Sequence, residues 1–263
     1  NTATYMDTFA EKHNLNVMAG FTAERFAWYN TQARRDNVPN NLDQMQEVNA
    51  GQQGTDEANG ETTYNTLVSF LGRVMYNYDN RYYISASLRA DGSSKFAKGN
   101  RWGFFPAGAL AWRISNEDFL KDSQVVSNLK LRLSYGSSGN DRIDADLYQK
   151  LYGVSSSRPA GWGEVSHYYY NFYNSKYVYN PDVKWETTIT RNIGLDFGFF
   201  KERLSGTIDV YWNTVKDLLV PSDIPGYTGY TKLMTNVGQT SNRGIELQLN
   251  AWLVETKDFS LNA

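Results

Sequence analysis

The sequence predicts an all-β protein that forms part of an antiparallel transmembrane β-barrel. Apolar and polar residues alternate over strands of about ten to fifteen residues, so each strand has one apolar and one wettable face. Short turns and long polar loops take alternate places between these strands, as they do in outer-membrane barrels. Aromatic residues make up 15% of the chain, with 19 Tyr against 6 Pro, which favours strands over helical bundles.

The composition excludes several classes of protein. The 263 residues carry a net charge of only -2, so no basic surface recommends a nucleic acid partner. The lack of cysteine excludes disulfide and thiolate–metal frameworks. No apolar run approaches the ~18 to 20 residues of a membrane-spanning helix, whereas a spanning strand needs only about 9 to 11. Residues 1–10 lack the features of a signal peptide, so we expect a mature product or an internal piece.

The first part of the chain reads as two hairpins. Residues 14–24 alternate and predict a strand, which leads into a polar outer loop at about 30–62. That loop is long for a compact domain but ordinary for a barrel. The next strand, at 68–78, passes through a tight turn at 79–81 into a strand at 82–91.

The middle of the chain repeats this arrangement. A polar loop at 92–101 precedes a strand at 102–114, and the segment 115–128 has the capping residues of one helical turn. A strongly alternating strand at 129–136 ends in a Gly-Ser-Ser-Gly-Asn segment. This segment opens a second long outer loop at about 141–184.

The last part contains two further strand pairs. Strands at 185–200 and 204–213 are joined by a very short turn, and a third outer loop follows at about 218–235. A strand at 245–253 precedes a turn and the start of another strand at 259. The pattern therefore contains about nine or ten strands and breaks off inside a strand, so we expect the chain to be a fragment of a longer polypeptide.

Strand length and aromatic placement separate a membrane barrel from a soluble sandwich. Sandwich strands usually have about five or six residues, fewer than the strands predicted here. Aromatic residues also gather near strand ends, where interfacial girdles would place them. These residues are Tyr78, Tyr82, Tyr83, Trp102, Phe104, Phe105, Tyr211 and Trp212. Packing of the same rings within a sheet core is the alternative.

Four stretches carry a resemblance to a known family. They are SFLGRVMYNYDNRYYISASLRADGSSKFAKGNRWGFFPAGALAWRIS at 69–115, NLKLRLSYGSSGN at 128–140, WETTITRNIGLDFGFF at 185–200 and SNRGIELQLNA at 241–251. In order and spacing they resemble the barrel of the SusC/RagA-type TonB-dependent outer-membrane transporters. The resemblance runs from about residue 14 to the last residue, and the loops at 30–62 and 141–184 are the least similar parts.

The resemblance implies a 22-stranded barrel in the bacterial outer membrane, surrounded by outer-membrane lipid. It implies that an amino-terminal plug fills the barrel, that a SusD-like surface lipoprotein caps it, and that TonB supplies the energy to import an oligosaccharide or a peptide. This chain contains no plug domain, no TonB-contacting box and no final strand with a terminal aromatic residue. We therefore expect residues 1–263 to be a barrel fragment that reaches TonB through a plug missing from this chain.

Two groups of residues are candidates for a role in uptake. The second outer loop contains aromatic residues that could stack on sugar rings or pack against a lipoprotein lid, or could pack on one another. The candidates for ligand binding are Trp162, Tyr168, Tyr169 and Tyr170. Charges predicted to face the lumen would set the field along the channel wall, or would form a structural ion-pair ladder between strands. They are Arg73, Arg89, Arg132, Asp196, Asp209 and Glu246.

Catalysis, metal binding and cofactors are not expected. The two histidines, His13 and His167, fall in no catalytic motif, and Asp196, Asp209 and Glu246 occupy polar strand faces where solvated lumen residues are common. The acids of DRIDAD at 141–146 lack the glycine of a calcium loop. The alternatives are a soluble or surface-attached β-rich glycan-binding module and, more distantly, a β-rich hydrolase.

Overall fold

The computed structural model describes most of the chain, and its sheet has the predicted class. The described ranges are 1–38, 47–150, 152–154, 170–172, 177–228, 230–255 and 260–262. The strands in these ranges are β1 Thr2–Phe9, β2 His13–Arg34, β3 Glu57–Tyr78, β4 Tyr82–Ser93, β5 Trp102–Arg113, β6 Val126–Asn140, β7 Tyr152–Val154, β8 Tyr170–Phe172, β9 Tyr177–Val178, β10 Glu186–Phe199, β11 Leu204–Lys216, β12 Leu219–Asp223, β13 Lys232–Asn236, β14 Gln239–Glu255 and β15 Ser260–Asn262.

Ten of these strands form one antiparallel sheet in the order β1-β2-β3-β4-β5-β6-β10-β11-β14-β15. Each strand pairs with the next long strand along the chain, which is the up-and-down arrangement of a barrel wall. The prediction of an antiparallel barrel fragment with about nine or ten strands is confirmed, and the sheet does not close on itself. In the described ranges, no helix has the length and apolarity needed to cross a membrane.

One strand of the ten-stranded sheet was not predicted, and several of its strands are longer than predicted. The strand β1 pairs with β2 over eight positions, but its sequence TATYMDTF lacks the aliphatic alternation that marks the other strands. The strands β2 and β3 pair without a break from His13↔Tyr78 to Arg34↔Glu57, so both ends of the predicted 30–62 loop are strand. Backbone pairing continues there because it does not require apolar side chains.

The other predicted outer loops contain short sheets of their own. The second loop holds β7, β8 and β9, and the third holds β12 and β13, which form a three-stranded sheet with β9. The predicted turn at 256–258 lies outside the described residues. The predicted turn at 79–81 is confirmed, because Asp79 and Asn80 both have φ +52° and the Arg81 N–H donates to the Tyr78 carbonyl at 2.9 Å. Positive φ at both central residues is the requirement of a type I′ hairpin turn.

One face of the ten-stranded sheet is covered by aliphatic side chains that are in contact with solvent. Paired positions carry them across six neighbouring strands, in the row Ile84, Leu110, Leu133, Ile193, Val210 and Ile245. Ile245 is 74% exposed and Leu110 is 52% exposed. A continuous apolar face of this size needs a nonaqueous environment, and a lipid bilayer supplies it.

The aromatic residues of β5 bound this apolar face. Trp102 and Trp112 point to the aliphatic side of the strand and stand ten residues apart. That separation is about 34 Å along a strand, or about 26 Å along the membrane normal at a tilt of about 40°, close to the ~25 Å apolar band of outer-membrane barrels. On the neighbouring strand Tyr82 stacks on Trp112, with ring centroids 6.4 Å apart.

Three of the residues predicted for the girdles do not lie on this face. Phe105, Tyr83 and Tyr211 occupy the alternate strand positions, so their side chains point to the polar face. Phe105 is buried against Trp185, with ring centroids 5.5 Å apart. For Phe105 the alternative of core packing was therefore correct, because alternation assigns a face to each ring whatever its distance from the strand end.

The buried core of the described residues lies at the long-loop end of the sheet. It consists of Phe96, Phe105, Ile143, Val183, Trp185 and Met234. Polar contacts hold the loops around it. The Trp185 indole N–H donates to the Arg101 carbonyl at 2.9 Å, the Ser93 hydroxyl donates to Asp141 at 2.8 Å, and the Asn180 amide donates to the Met234 carbonyl at 2.8 Å.

Two glycines make room for this core. A Cβ atom at Gly139 would overlap the Phe105 ring, and one at Gly103 would overlap the same ring and approach Trp185. The ring cannot move aside easily because Phe105 is buried in the cluster. The close approach of the backbone therefore fixes glycine at both positions.

We predict that Gly139→Ala destabilises the protein through this overlap. The expected loss is about 1–3 kcal/mol of unfolding free energy, the usual cost of overpacking. Denaturant unfolding of the detergent-solubilised protein measures it. Gly72→Ala is the matched control, because a Cβ atom at Gly72 meets nothing within 4 Å. Equal stability of the two variants would contradict the prediction.

Candidate functional site

The six predicted lumen charges all lie on the face opposite the aliphatic row. Each occupies the alternate position on its strand: Arg73 on β3, Arg89 on β4, Arg132 on β6, Asp196 on β10, Asp209 on β11 and Glu246 on β14. The polar face also carries small side chains on β4, which leave space above the sheet. The chemistry of this face is therefore that of a wettable wall with charges of both signs.

Four of the six charges form one cluster across four neighbouring strands. The Arg132 Nε donates to both carboxylate oxygens of Asp196 at 2.9 Å, and an Arg132 terminal nitrogen lies 3.2 Å from Asp209. Glu246 stands directly opposite Asp209 in the register of β11 and β14. Like charges in paired positions repel, so Arg132 offsets a local excess of acids.

The backbone beneath this cluster is shaped to accept it. Gly194 pairs with both Arg132 and Asp209 and lies between them. A Cβ atom at Gly194 would stand 2.5 Å from the Asp209 Oδ1 and 2.6 Å from the Arg132 Cζ. The two charged side chains therefore meet over the glycine, which is a contact the sequence spacing does not reveal.

The remaining predicted charges are arranged differently. Arg89 donates from Nε to both Asp91 oxygens at 2.8 Å and from a terminal nitrogen to the Ser69 hydroxyl at 3.1 Å. Asp91, two residues after Arg89 on the same strand, is therefore its ion-pair partner. It was not among the predicted charges, although its spacing from Arg89 could have identified it. Among the described residues Arg73 has no ion-pair partner.

The predicted aromatic site lies almost entirely outside the described residues. Trp162, Tyr168 and Tyr169 belong to the part of the loop that the structure does not describe, and their role stays a prediction. Tyr170 begins β8 and pairs through its backbone with Val154 of β7. Two acids of DRIDAD make loop contacts, as Asp141 accepts from the Ser93 hydroxyl and Asp146 accepts from the Gln149 amide. Within the described ranges, no group of three His, Asp or Glu residues is placed to hold a metal ion.

A third polar cluster fixes the connection between β5 and β6 at the short-turn end. Glu117 Oε1 accepts hydrogen bonds from the Tyr82 hydroxyl at 2.7 Å and from the Trp112 indole at 2.9 Å. Its other oxygen lies 3.2 Å from an Arg81 terminal nitrogen. The bond from Tyr82, and then that from Trp112, lower the pKa of Glu117 below its ordinary value.

Comparison with known proteins assigns this wall to a family. The family model for the TonB dependent receptor-like β-barrel matches residues 1–263. The chain belongs to the TonB-dependent receptor barrels. The predicted family and the predicted outer-membrane location are thereby confirmed.

Two individual members of the family are similar in sequence to this receptor barrel. It is 44% identical to the TonB-dependent receptor SusC of Bacteroides thetaiotaomicron over 207 residues, which are 78% of this chain and 20% of that protein. It is 34% identical to the TonB-dependent receptor P39 of Formosa agariphila, over 99% of this chain and 24% of that protein. The chain therefore spans about a fifth to a quarter of the length of these curated relatives.

A solved structure agrees with the fold. The RagAB peptide importer in the closed-closed state superposes with a TM-score of 0.84 at 28% identity, over 99% of this chain and 28% of that chain. The fold of nearly the whole chain therefore matches a little more than a quarter of that larger chain.

We predict that Arg132→Gln destabilises the receptor barrel at neutral pH. Asp196, Asp209 and Glu246 would then lie close together without their cation, at a cost of about 1–3 kcal/mol. Denaturant unfolding measures the loss.

Arg73→Gln is the matched control for this variant. It removes an arginine from the same face that has no ion pair among the described residues, so the expected change is within about 0.5 kcal/mol. Adding Asp209→Asn to Arg132→Gln should recover part of the loss, because it removes one of the repelling acids. A loss from Arg73→Gln as large as that from Arg132→Gln would refute the cluster's role.

We predict that Glu117 makes the stability of the receptor depend on acid pH. Its pKa is lowered in the folded state from the ordinary 4.5, so its contribution is present above pH 4.5 and is lost as the pH falls through the lowered pKa. Unfolding midpoints measured between neutral and acid pH should fall less steeply for Glu117→Gln than for the unaltered protein. Identical curves for Glu117→Gln and the unaltered protein would contradict the assignment.

Proposed function

We propose that this chain is part of the barrel wall of a SusC-like nutrient importer of the bacterial outer membrane. The importer captures a glycan or a peptide and passes it through a gated barrel with energy from TonB. The observation that carries the proposal is the continuous aliphatic face bounded by Trp102 and Trp112 on a ten-stranded meander. Similarity to SusC and to the RagAB peptide importer supports the same conclusion.

The orientation of the wall follows from the lengths of its connections. The short turns after β1, β3 and β10 face the periplasm, and the long segments after β2, β6 and β11 face the exterior, as in outer-membrane barrels. The polar face then lines the lumen. Arg73, Arg89 and the Arg132 cluster set the field along that lumen wall.

The proposed partners follow from the same arrangement. Outer-membrane lipid covers the aliphatic face, a plug domain fills the lumen and contacts TonB, and a SusD-like surface lipoprotein caps the outer loops. The importer acts by binding and passage, without bond chemistry. Support for this comes from the relatives, which are receptors and transporters, and from Asp91, Asp196 and Asp209 of the polar face, which are paired with Arg89 or Arg132.

The alternative of a soluble glycan-binding module is less well supported. Such a module would expose the row from Ile84 to Ile245 to water, at an apolar cost of about 25 cal/mol for each Å². A glycan remains one of the two candidate substrates for the importer, however. The aromatic residues Trp162, Tyr168, Tyr169 and Tyr170 are the proposed contact surface for the substrate or the lipoprotein.

Uptake by the full-length receptor tests the proposal. Cells that carry the receptor and its lipoprotein are given fluorescent oligosaccharides or peptides, and the label that reaches the periplasm is measured with and without TonB. We expect uptake of one substrate class that depends on TonB. Uptake that persists without TonB, or the absence of uptake for both classes, would contradict the function.

The same assay tests the loop aromatics. Replacement of Trp162 and residues 168–170 by Ala should lower uptake about tenfold or more if at least one stacking contact worth about 1.5 kcal/mol is lost. Tyr227→Ala is the matched control, since it removes an exposed aromatic residue from the third outer loop. Unchanged uptake after the multiple replacement removes the ligand-binding role and leaves the importer assignment intact.

A further inference from the structure

The periplasmic connections carry apolar side chains that the barrel itself does not bury. Phe119, in the connection between β5 and β6, is 72% exposed, and Phe200, in the turn between β10 and β11, is 55% exposed. Val125 lies between them in the chain and is also exposed. Large apolar side chains are unusual in turns that are surrounded by water, because the residues of such turns are ordinarily polar.

The connections that carry these side chains contact residues of the aliphatic face. Glu117 holds the Phe119 connection against Tyr82 and Trp112, which both lie on the aliphatic face. The Phe200 ring lies 6.5 Å from Phe199, whose side chain is on the same face. The Phe200 N–H also donates to the Val125 carbonyl at 2.8 Å, so the two connections are joined.

The exposure does not arise from a free edge of the sheet. The connections join β5 to β6 and β10 to β11, and all four strands have neighbours on both sides. Phe200 also has φ +54°, a left-handed conformation that disfavours bulky residues and suits Gly or Asn. The position therefore retains an aromatic ring where a small residue would fit the backbone better.

We propose that Phe119, Val125 and Phe200 form an interfacial anchor that inserts into the inner leaflet of the outer membrane. The anchor continues the lower aromatic girdle below Tyr82 and Trp112, and its rings lie at the boundary between headgroups and acyl chains. A bilayer suits this patch better than a periplasmic protein does, because the patch adjoins a face that is already lipid-covered. Asp118 and Lys121, paired at 2.9 Å, remain among the headgroups.

Site-directed fluorescence in vesicles tests the anchor. This chain has no cysteine, so Phe119→Cys and Phe200→Cys introduce single labelling sites once any cysteine elsewhere in the full-length receptor is replaced. Each variant is labelled with an environment-sensitive fluorophore and reconstituted in phosphatidylethanolamine–phosphatidylglycerol vesicles. Spin-labelled lipids then quench from a shallow or a deep position, and iodide quenches from water.

The expected result is a shallow membrane position for both labels. Quenching by the shallow lipid label should exceed that by the deep label about twofold, in keeping with a depth of about 5–10 Å. Leu88→Cys is the reference for the apolar band, because Leu88 is exposed on the aliphatic face and pairs with Pro106 near the middle of the span between Trp102 and Trp112, and it should be quenched best by the deep label. Tyr227→Cys is the reference for water and should be quenched by iodide alone.

Two outcomes would overturn the anchor. One is iodide quenching at both anchor positions that equals the quenching at Tyr227→Cys. The other is protection from iodide without any quenching by lipid labels, which would mean that protein covers the patch. Heat-modified migration on gels confirms that each variant is folded, and both substitutions replace exposed side chains.

Discussion

Hydrogen bonding between neighbouring strands is the interaction on which the rest of this barrel wall depends, since lipid offers no partner to a backbone N–H or C=O. Every long strand is paired in register with the next, and β2 pairs with β3 over 22 residues. A strand of that length extends about 57 Å along the membrane normal at a tilt of about 40°, more than twice the apolar band. The pairing that lipid requires is thus carried far into the aqueous outer side.

The two faces of the sheet share one backbone but meet different requirements, since one contacts lipid and the other carries charged side chains. On the lipid side, side chains need no specific partner, and the row from Ile84 to Ile245 is a mixture of Ile, Leu and Val. On the polar side, charged side chains that lie close together are paired, and Arg132 pairs with Asp196 and Asp209 across three strands. Gly194 links the backbone to this ion pair, because Arg132 and Asp209 occupy the space that a side chain at position 194 would fill.

Alternation in the sequence was sufficient for the class of fold, the faces of most strands and the polar face of all six predicted charges. It could not predict β1, where the apolar face carries too few aliphatic residues, or the ends of β2 and β3, where pairing continues between polar residues. It also assigned Phe105 to a girdle, although the side-chain alternation along β5 points that ring away from the aliphatic face and into the core under the outer loops. Partners were less predictable than faces: the cluster of Arg132 depends on the register between strands far apart in the chain, which a periodic pattern does not contain.

The core formed by Phe96 and Trp185 has a mechanical consequence. It draws together three outer segments, with Lys95 bonded to the Asp141 carbonyl, Asn100 to the Pro181 carbonyl and Asn236 to the Lys184 carbonyl. Displacement of one of these segments alone would break its hydrogen bonds to the others and expose the core between them. The described outer end of this wall is therefore braced against the separate displacement of any one of these segments.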